Sequence, residues 1–338
     1  MILVTGGTGL VGSHLLYELV KLNKSVKAII RNRDKIQLVK KVFSYYSEDP
    51  DGLINKIQWI DGDVLDVYSM EDAFNGVKKV YHCAAIVSIG GKNKDELLSA
   101  NIQGTENIVN LCIDHKINKL CHVSSIASLG ESLNGDLITE NTKWNASKNR
   151  SAYSVSKYKS EMEVWRGIQE GLNAVIVNPS VILGPGFWNS GIGSLFTRAA
   201  KGLKYYTAGS TGFVDVRDVS EVMIKLMESD ISSERFIINS ENLVYKTLFD
   251  QIAEVMQVKK PKKKATKNLL IAALALDSIA SMFGFKKKEI TKDVIRASLS
   301  TSKYSNEKIK NTIGQNFISI KESIQDVADK FNKELTIN

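Results

Sequence analysis

A glycine-rich turn between an apolar run and an amphipathic helix, close to the start of the chain, most strongly constrains the fold. Residues 2–4 predict a strand, and apolar side chains then recur at helical spacing over residues 13–21. Gly6, Gly9 and Gly12 allow a sharp turn, close approach of a pyrophosphate and tight packing of the helix on the strand. Gly7, Gly9 and Gly12 also fit the common GxGxxG pattern, but we prefer the set of Gly6, Gly9 and Gly12. The pattern predicts a dinucleotide-binding turn with the phosphates at the helix N-terminus.

Short apolar runs alternate with helical patterns through the first half of the chain. Such alternation predicts an α/β fold with a doubly wound, mainly parallel sheet, the Rossmann arrangement, in which ligands bind at the carboxyl ends of the strands. The predicted strands are residues 26–30, 57–60, 80–84, 120–123 and 174–177, and the clearest helices are residues 101–115 and 151–170.

The pattern loosens after Asn178 and Pro179, which predicts a second lobe. A helix is predicted near residues 194–201, and the chain is then expected to return to the first lobe with a strand at 213–215, a helix at 218–228 and a strand at 236–239. The remainder from residue 242 is predicted to be mostly helical. We therefore assign residues 1–180 and 213–240 to a Rossmann NADP-binding domain, and residues 181–212 and 241–338 to a smaller, mostly helical substrate-binding lobe.

The net charge of +8 is concentrated in one segment, residues 259–288, which holds nine lysines against the single acid Asp277. Basic residues gathered in this way do not form a groove-reading face, so nucleic-acid binding is not expected. The three cysteines show no CxxC spacing and predict neither a disulfide framework nor a zinc site. With the predicted first strand directly after Met1, we expect no leader peptide and a cytoplasmic protein.

The apolar part of this segment, residues 268–285, lies between two groups of lysines. It is slightly short for a membrane-spanning helix and contains Asp277. Three interpretations stay open: a helix that lies on an anionic membrane surface, a mouth for a lipophilic substrate, or a lid or wall helix with solvated lysine ends.

The end of the second predicted strand indicates which cofactor is used. Residues 26–30 are followed by Arg31 and Arg33, where an acid would accept the ribose hydroxyl of NAD, and Asp34 comes only after both arginines. Guanidinium groups bind phosphate in a bidentate manner, so NADP is favoured, with NAD as the alternative if both arginines are merely solvated. Residues 61–64 are predicted to approach the adenine edge.

Tyr153 and Lys157 are four residues apart on a predicted helix and share one of its faces. A fixed ammonium favours the ionised form of a tyrosine, so Lys157 is expected to lower the pKa of Tyr153. Ser124 and Ser125 end a predicted strand upstream and can hold a substrate oxygen. The set suits proton transfer to a carbonyl oxygen while a hydride arrives from nicotinamide.

These motifs resemble the extended short-chain dehydrogenase/reductase family over most of the chain, in the family's order. Residues 26–31 and 213–218 look most similar to its branch of dihydroflavonol 4-reductases and 3β-hydroxysteroid dehydrogenases. The resemblance implies carbonyl or alcohol redox chemistry with NADP(H) or NAD(H). The motifs that carry it are Thr5-Gly-x-x-Gly-x-x-Gly12, Asp61-Gly-Asp63, Ala84-Ala85, Asn101-x-x-Gly-Thr-x-Asn107, Val123-Ser-Ser125, Tyr153-x-x-x-Lys157 and Asn178-Pro179.

The resemblance also implies roles for single residues. Tyr153 would be the catalytic acid/base, Lys157 would grip the nicotinamide ribose and tune the tyrosine, and Ser125 would be the catalytic serine with Ser124 as the fallback. Asn101 would complete the catalytic set near the nicotinamide. The implied cofactor-binding residues are Thr5, Gly6, Gly9, Leu10, Val11, Gly12, Arg31, Asp63, Val64, Ala84, Ala85, Ser124, Tyr153, Lys157, Asn178, Pro179 and Ser180.

Two departures from the family narrow the function. Thr211, Gly212 and Phe213 stand where nucleotide-sugar epimerases tend to carry an Arg-Asp-Phe/Tyr pattern, and the asparagine that flavonoid reductases use is replaced near Gly130. Neither a nucleotide sugar nor a flavonoid is therefore favoured as the substrate.

The leading hypothesis is an NADP(H)-dependent carbonyl reductase or alcohol dehydrogenase that acts on a small, apolar substrate. The alternatives are a nucleotide-sugar epimerase or dehydratase that retains its cofactor, and a non-catalytic dinucleotide-sensing or membrane-docked module. A homodimer and peripheral membrane contact through residues 259–288 stay open. No metal site is predicted, because the histidines lack ligand spacing, and His82 and His122 are interpreted as packed strand residues.

Overall fold

The computed structural model describes residues 1–87, 94–132, 135–146, 150–189, 191–282 and 291–337. Its strands are β1 (Ile2–Thr5), β2 (Val26–Ile30), β3 (Ile57–Asp61), β4 (Lys79–His82), β5 (Lys119–Val123), β6 (Ala174–Pro179), β7 (Val181–Leu183), β8 (Tyr205–Tyr206), β9 (Ser210–Asp215), β10 (Glu234–Ile238), β11 (Glu241–Val244) and β12 (Lys263–Lys264).

The α-helices are α1 (Leu10–Lys21), α2 (Ile36–Phe43), α3 (Pro50–Ile54), α4 (Val67–Phe74), α5 (Lys94–Asp114), α6 (Ala152–Gln169), α7 (Gly193–Ala200), α8 (Val216–Glu228), α9 (Tyr245–Val255), α10 (Lys267–Met282), α11 (Lys292–Leu299), α12 (Glu307–Ile313) and α13 (Ile320–Ile337).

Seven strands form one parallel sheet in the order β10-β6-β5-β4-β1-β2-β3. Helices link successive strands, and the strand order reverses beside β1. This is the doubly wound α/β fold predicted from the sequence. A ligand crevice is expected where the order reverses, at the carboxyl ends of β1 and β4.

Alternating strand residues fill two hydrophobic cores, one on each face of the sheet. Val4 and Val177 pack with α1, α2 and α8 on one face. Leu3 and Ile176 pack with α4, α5 and α6 on the other. Because both faces are covered by helices, the strands are mostly apolar, which is why the sequence identified them as short apolar runs.

A second sheet of three strands, in the order β11-β9-β7, lies in the smaller lobe. β9 pairs with β7 in parallel and with β11 in antiparallel orientation. Residues 213–215 were predicted to bring the chain back to the first lobe, but they belong to β9 of the second sheet. The chain returns to the first lobe with α8 and β10. The side chains of this strand face both lobes, because Val214 packs in a core of the first lobe and Phe213 packs in the core of the second. The lobe is largely helical, as predicted, although β11 and β12 interrupt its helical part.

The lysine-rich segment begins with β12, which pairs with β8 through Lys263 and Tyr205. A short turn then leads into α10. Within the ranges that the structure describes, no helix is long and apolar enough to cross a membrane. Residues 283–290, with the second lysine group, lie outside the described residues.

Candidate active site

The turn between β1 and α1 depends on two glycines. Gly6 has a φ of +70°, and a Cβ there would lie 2.5 Å from the backbone nitrogen of Ala84. A Cβ on Gly12 would lie 2.2 Å from the carbonyl oxygen of Gly6. In the other glycine frame, a Cβ on Gly7 would meet only side chains, chiefly that of Leu16. The close backbone contacts therefore support the frame of Gly6, Gly9 and Gly12.

The N-terminus of α1 is suited to an anion. Gly9 is its N-cap and provides no side-chain cap, and the first turn has no acidic residue. The first amides of a helix have no acceptor within the helix, and the helix dipole places partial positive charge there. Leu10 and Val11 follow in this turn, and a diphosphate fits the available donors.

The strand ends beside this turn are tied together by buried polar groups. The Oγ1 of Thr5 lies 2.7 Å from Nδ1 of His82 and accepts a 3.3 Å hydrogen bond from the amide of Ala84. Nε2 of His82 lies 3.1 Å from the Oγ1 of Thr105. Burial lowers the pKa of His82 to about 3, so this imidazole is neutral at physiological pH. Ala85 follows in an exposed position beyond this framework.

Two exposed ion pairs mark the ends of β2 and β3. Arg33 holds Asp61 through both carboxylate oxygens, with a shortest distance of 2.6 Å, and Nη1 of Arg31 lies 3.5 Å from Oδ2 of Asp63. Both arginine side chains are 60% exposed. The carbonyl of Val64 accepts a 2.9 Å hydrogen bond from the amide of Asn107, which fixes the following loop.

Ser125 and Tyr153 come together where β5 ends and α6 begins. Burial raises the pKa of Tyr153, and the nearby hydroxyl of Ser125 opposes this shift with a smaller effect. Ser154 anchors the start of α6 by donating a 2.6 Å hydrogen bond to the carbonyl of Ala127. Burial therefore keeps the phenol of Tyr153 protonated at neutral pH, and the effect of Lys157 on this pKa stays a prediction.

Lys157 lies below Tyr153 on the same face of α6. Its Nζ donates a 2.7 Å hydrogen bond to the carbonyl of Val123. Burial lowers the pKa of this ammonium to about 8, and the negative charge of Glu161 opposes that shift. Lys157 is therefore mostly cationic at neutral pH, at the point where the nicotinamide ribose is expected.

Asn101 acts as a brace between three segments. Its amide donates to the carbonyl of Ile86 at 3.0 Å and to the Oγ of Ser156 at 2.9 Å, and its oxygen accepts from the amide of Ile86 at 2.6 Å. The side chain is buried. The structure thus places Asn101 behind α6 with its polar atoms engaged, rather than in contact with Ser125 and Tyr153.

A buried carboxylate, which sequence reasoning missed, organises the floor of the site. Glu161 is fully buried, and its Oε2 accepts hydrogen bonds of 2.7 to 2.8 Å from Ser124, Ser128 and Asn178. Its Oε1 accepts a 2.8 Å hydrogen bond from Nη1 of Arg235. Glu161 stands one helical turn after Lys157, so this spacing could have revealed it.

The hydrogen bonds around Glu161 distinguish the roles of the two candidate serines. Ser124 donates its hydroxyl hydrogen bond to Glu161, whereas the Ser125 hydroxyl accepts a 3.1 Å hydrogen bond from the amide of Ala127 and acts on the pKa of Tyr153. Asn178 also donates a 3.2 Å hydrogen bond to the carbonyl of Ser125, so it holds the loop that carries this residue. The geometry favours Ser125 over Ser124 as the group that faces a substrate.

The residues after Asn178 lead from the first sheet into the second lobe. Pro179 ends β6, and Ser180 is bonded to the carbonyl of Ile238 at 3.2 Å. Trp188 packs edge-on against Phe331, with ring centroids 5.0 Å apart, and so belongs to the core of the second lobe. Among the described residues, no group of three or more His, Cys, Asp or Glu side chains could hold a metal ion.

The fold has a glycine turn after the first strand of a parallel sheet. It also has candidate Ser, Tyr and Lys residues at the end of β5 and the start of α6. Together these features are typical of an enzyme that uses a nicotinamide dinucleotide, of the extended short-chain dehydrogenase/reductase type. Residues 2–239 match the family described as the NAD dependent epimerase/dehydratase family. The chain belongs to this family, which confirms the resemblance found in the sequence motifs.

Individual relatives are similar over most of the chain. Sterol demethylase protein B of Methylococcus capsulatus is 29% identical over 264 residues, which is 77% of this chain and 76% of the relative. The 3beta-hydroxysteroid-dehydrogenase/decarboxylase isoform 1 of Arabidopsis thaliana is 23% identical and covers 97% of this chain and 79% of its own. The crystal structure of gox2253 superposes with a TM-score of 0.82 at 26% identity, covering 99% of this chain and 98% of that one.

Proposed function

We propose that the protein is an NADP(H)-dependent oxidoreductase that interconverts a carbonyl and an alcohol on a small, apolar substrate. The observation that carries the proposal is that the Ser125 hydroxyl acts on the pKa of Tyr153, while the buried cation of Lys157 lies one helical turn further along the same face of α6. A donor pair of this kind can hold and protonate one substrate oxygen.

Each residue has a distinct part in this chemistry. Ser125 orients the substrate oxygen, and Tyr153 delivers a proton to it in reduction or removes one in oxidation. Bound nicotinamide supplies or accepts the hydride. Because burial keeps Tyr153 protonated, it is ready to act as the acid, and the positive charge of Lys157 stabilises the phenolate left behind.

Support for NADP comes from the ends of β2 and β3. Arg31 and Arg33 project there with large exposed fractions, and the carboxylates that pair with them are themselves near the surface. A 2′-phosphate could replace Asp63 as the partner of Arg31, because the present contact is long, at 3.5 Å, and exposed. The Oδ1 of Asn178 is buried without a hydrogen-bond partner among the described residues, which supports a role toward the cofactor's carboxamide.

The substrate class rests on two kinds of support. The names of two relatives refer to a sterol and to a hydroxysteroid, which supports an apolar substrate. A Cβ on Gly212 would lie 2.2 Å from the Oδ1 of Asn239, so a charged side chain cannot replace this glycine without rearrangement. The anchor expected for a nucleotide sugar is therefore disfavoured at this position.

The test is an assay of the purified chain with NADPH and a panel of apolar ketones and aldehydes, run beside UDP-sugars. Consumption of NADPH with appearance of the matching alcohol supports the proposal. Conversion of a UDP-sugar without net consumption of NADPH would show an epimerase or dehydratase instead. Cofactor binding without turnover of any carbonyl or alcohol would favour the non-catalytic module.

A further inference from the structure

One surface of the second lobe combines positive charge with exposed aliphatic side chains. Lys263 and Lys264 lie on β12 and are exposed, and so are Lys262 and Lys267 on either side of them. No carboxylate of the described residues lies within ion-pair distance of these four ammonium groups, whereas the nearby Lys260 is paired with Glu254.

The apolar part of this surface is the first half of α10. Leu269 is 39% exposed and Ile271 is 49% exposed. Ile271, Ala272 and Ala275 are all exposed, and their spacing places them on one face of the helix. These three aliphatic side chains are therefore turned to solvent, beside the exposed Asn268 on the same face.

The two parts are held side by side. β12 pairs with β8, where Tyr205 is 42% exposed, and the amide of Ala265 donates a 2.8 Å hydrogen bond to the carbonyl of Tyr206. The hydroxyl of Thr266 then accepts from the amide of Leu269 at 3.3 Å at the start of α10. Lys267 thus lies one helical turn before Ile271, and Lys262, Lys263 and Lys264 precede it by three to five residues.

We propose that these residues, called here the α10 surface, dock the enzyme on an anionic lipid bilayer. The α10 surface consists of Lys262, Lys263, Lys264, Lys267, Tyr205, Leu269, Ile271, Ala272 and Ala275. Unpaired lysines attract acidic headgroups, and the aliphatic face enters the boundary between headgroups and acyl chains. An acidic protein or a nucleic acid would use the lysines but would leave the aliphatic face without a partner.

The experiment is co-sedimentation of the full chain with vesicles of phosphatidylcholine alone and of phosphatidylcholine with phosphatidylserine. Binding is expected only with phosphatidylserine and is expected to weaken as salt is raised. Each lysine near such a surface strengthens binding by roughly fivefold, so changing all four lysines of the α10 surface to Gln should weaken it by about a hundredfold or more.

A matched control removes the same charge elsewhere. Changing Lys35, Lys78, Lys310 and Lys333, all exposed, to Gln should leave binding within about threefold. Equal losses in the two lysine variants would overturn the proposal, since they would show a response to net charge alone. Failure of the unmodified chain to sediment with phosphatidylserine vesicles would also overturn it.

A second variant tests the aliphatic face. Leu269→Ser with Ile271→Ser should weaken vesicle binding by roughly tenfold, because both side chains would otherwise leave water. Circular dichroism checks that each variant is folded. Unchanged binding in this double variant, or equally tight binding to a DNA duplex, would identify a general polyanion surface and reject docking on lipid.

Discussion

The two ends of the candidate cofactor site are built in opposite ways. The proposed catalytic end is formed by the partly buried Ser125 and Tyr153 and the buried Lys157 and Glu161, and it is held by hydrogen bonds and by the ion pair of Glu161 with Arg235. The adenosine end, formed by Arg31, Arg33, Asp61 and Asp63, is exposed and held only by surface ion pairs. The same sheet edge therefore carries one rigid and one adaptable region.

This difference indicates which side chains are held in position by the fold and which can be repositioned when a ligand binds. Removing one partner of a buried ion pair leaves a charge without compensation and is costly. Surface ion pairs contribute little because water and salt screen them. In the proposed function, the chemistry depends on groups that the fold itself positions, whereas the choice of cofactor depends on exposed side chains that can exchange partners.

The largest effect is expected from Tyr153→Phe, which removes the proton donor while leaving the ring in place. Turnover should fall by about a thousandfold, and NADPH binding measured by fluorescence should remain within about threefold. Tyr158→Phe, one turn further along α6, is the matched control, because Tyr158 instead stacks on Trp144 with ring centroids 4.3 Å apart. Equal losses in both variants would contradict the assigned role.

Glu161→Gln tests the rigid end through stability. It should lower the free energy of unfolding by about 3 kcal/mol, because Arg235 loses its charged partner in a buried site. Glu163→Gln, two residues away, breaks only a partly exposed pair with Arg166 and should cost less than about 1 kcal/mol. Urea denaturation compares the two, and similar midpoints would show that burial of Glu161 has no energetic consequence.

Arg31→Ala tests the adaptable end through selectivity. Affinity for NADPH should fall by roughly tenfold because the 2′-phosphate loses a charge-assisted contact, while affinity for NADH should stay nearly constant. Stability should change by less than about 0.5 kcal/mol, since the pair with Asp63 is exposed. A parallel loss of NADH affinity would show that Arg31 serves the common part of the cofactor.

The last prediction leaves the chain unchanged near pH 7 and concerns a pH dependence that arises at Lys157. Burial lowers its pKa to about 8, so its positive charge is present below that pH and is lost as the pH rises through it. We expect kcat/KM for reduction to fall by about tenfold per pH unit above about pH 8. Arginine stays charged in this range, so Lys157→Arg should lose this limb of the profile. A limb that persists would assign the titration to another group.

Much of the first lobe could be predicted from the sequence, because a strand covered on both faces appears as a continuous apolar run. The prediction for residues 174–177 agrees with β6 within two residues for this reason. The strands β8 and β12 have two residues each and carry no periodic signal. They depend on contacts between segments far apart in the chain.

The candidate site shows the same limit. Gly6, Tyr153 and Lys157 could be found because their spacing has a local chemical meaning. Arg235 could not, since its approach to Glu161 depends on β10 returning beside β6. Local patterns identified the residues expected to act on ligands, and the residues that support them became visible only in three dimensions.

The path of the chain between the two sheets affects how the enzyme can be rebuilt. The chain leaves the first sheet after β6, returns at the junction of β9 and α8, and leaves again between β10 and β11. At the second of these junctions, Arg217 holds the buried carboxylate of Asp215 through two hydrogen bonds of 2.8 to 2.9 Å. A chimera that exchanges the second lobe between relatives therefore needs three splice points. A splice between Asp215 and Arg217 would take the two partners of this ion pair from different proteins.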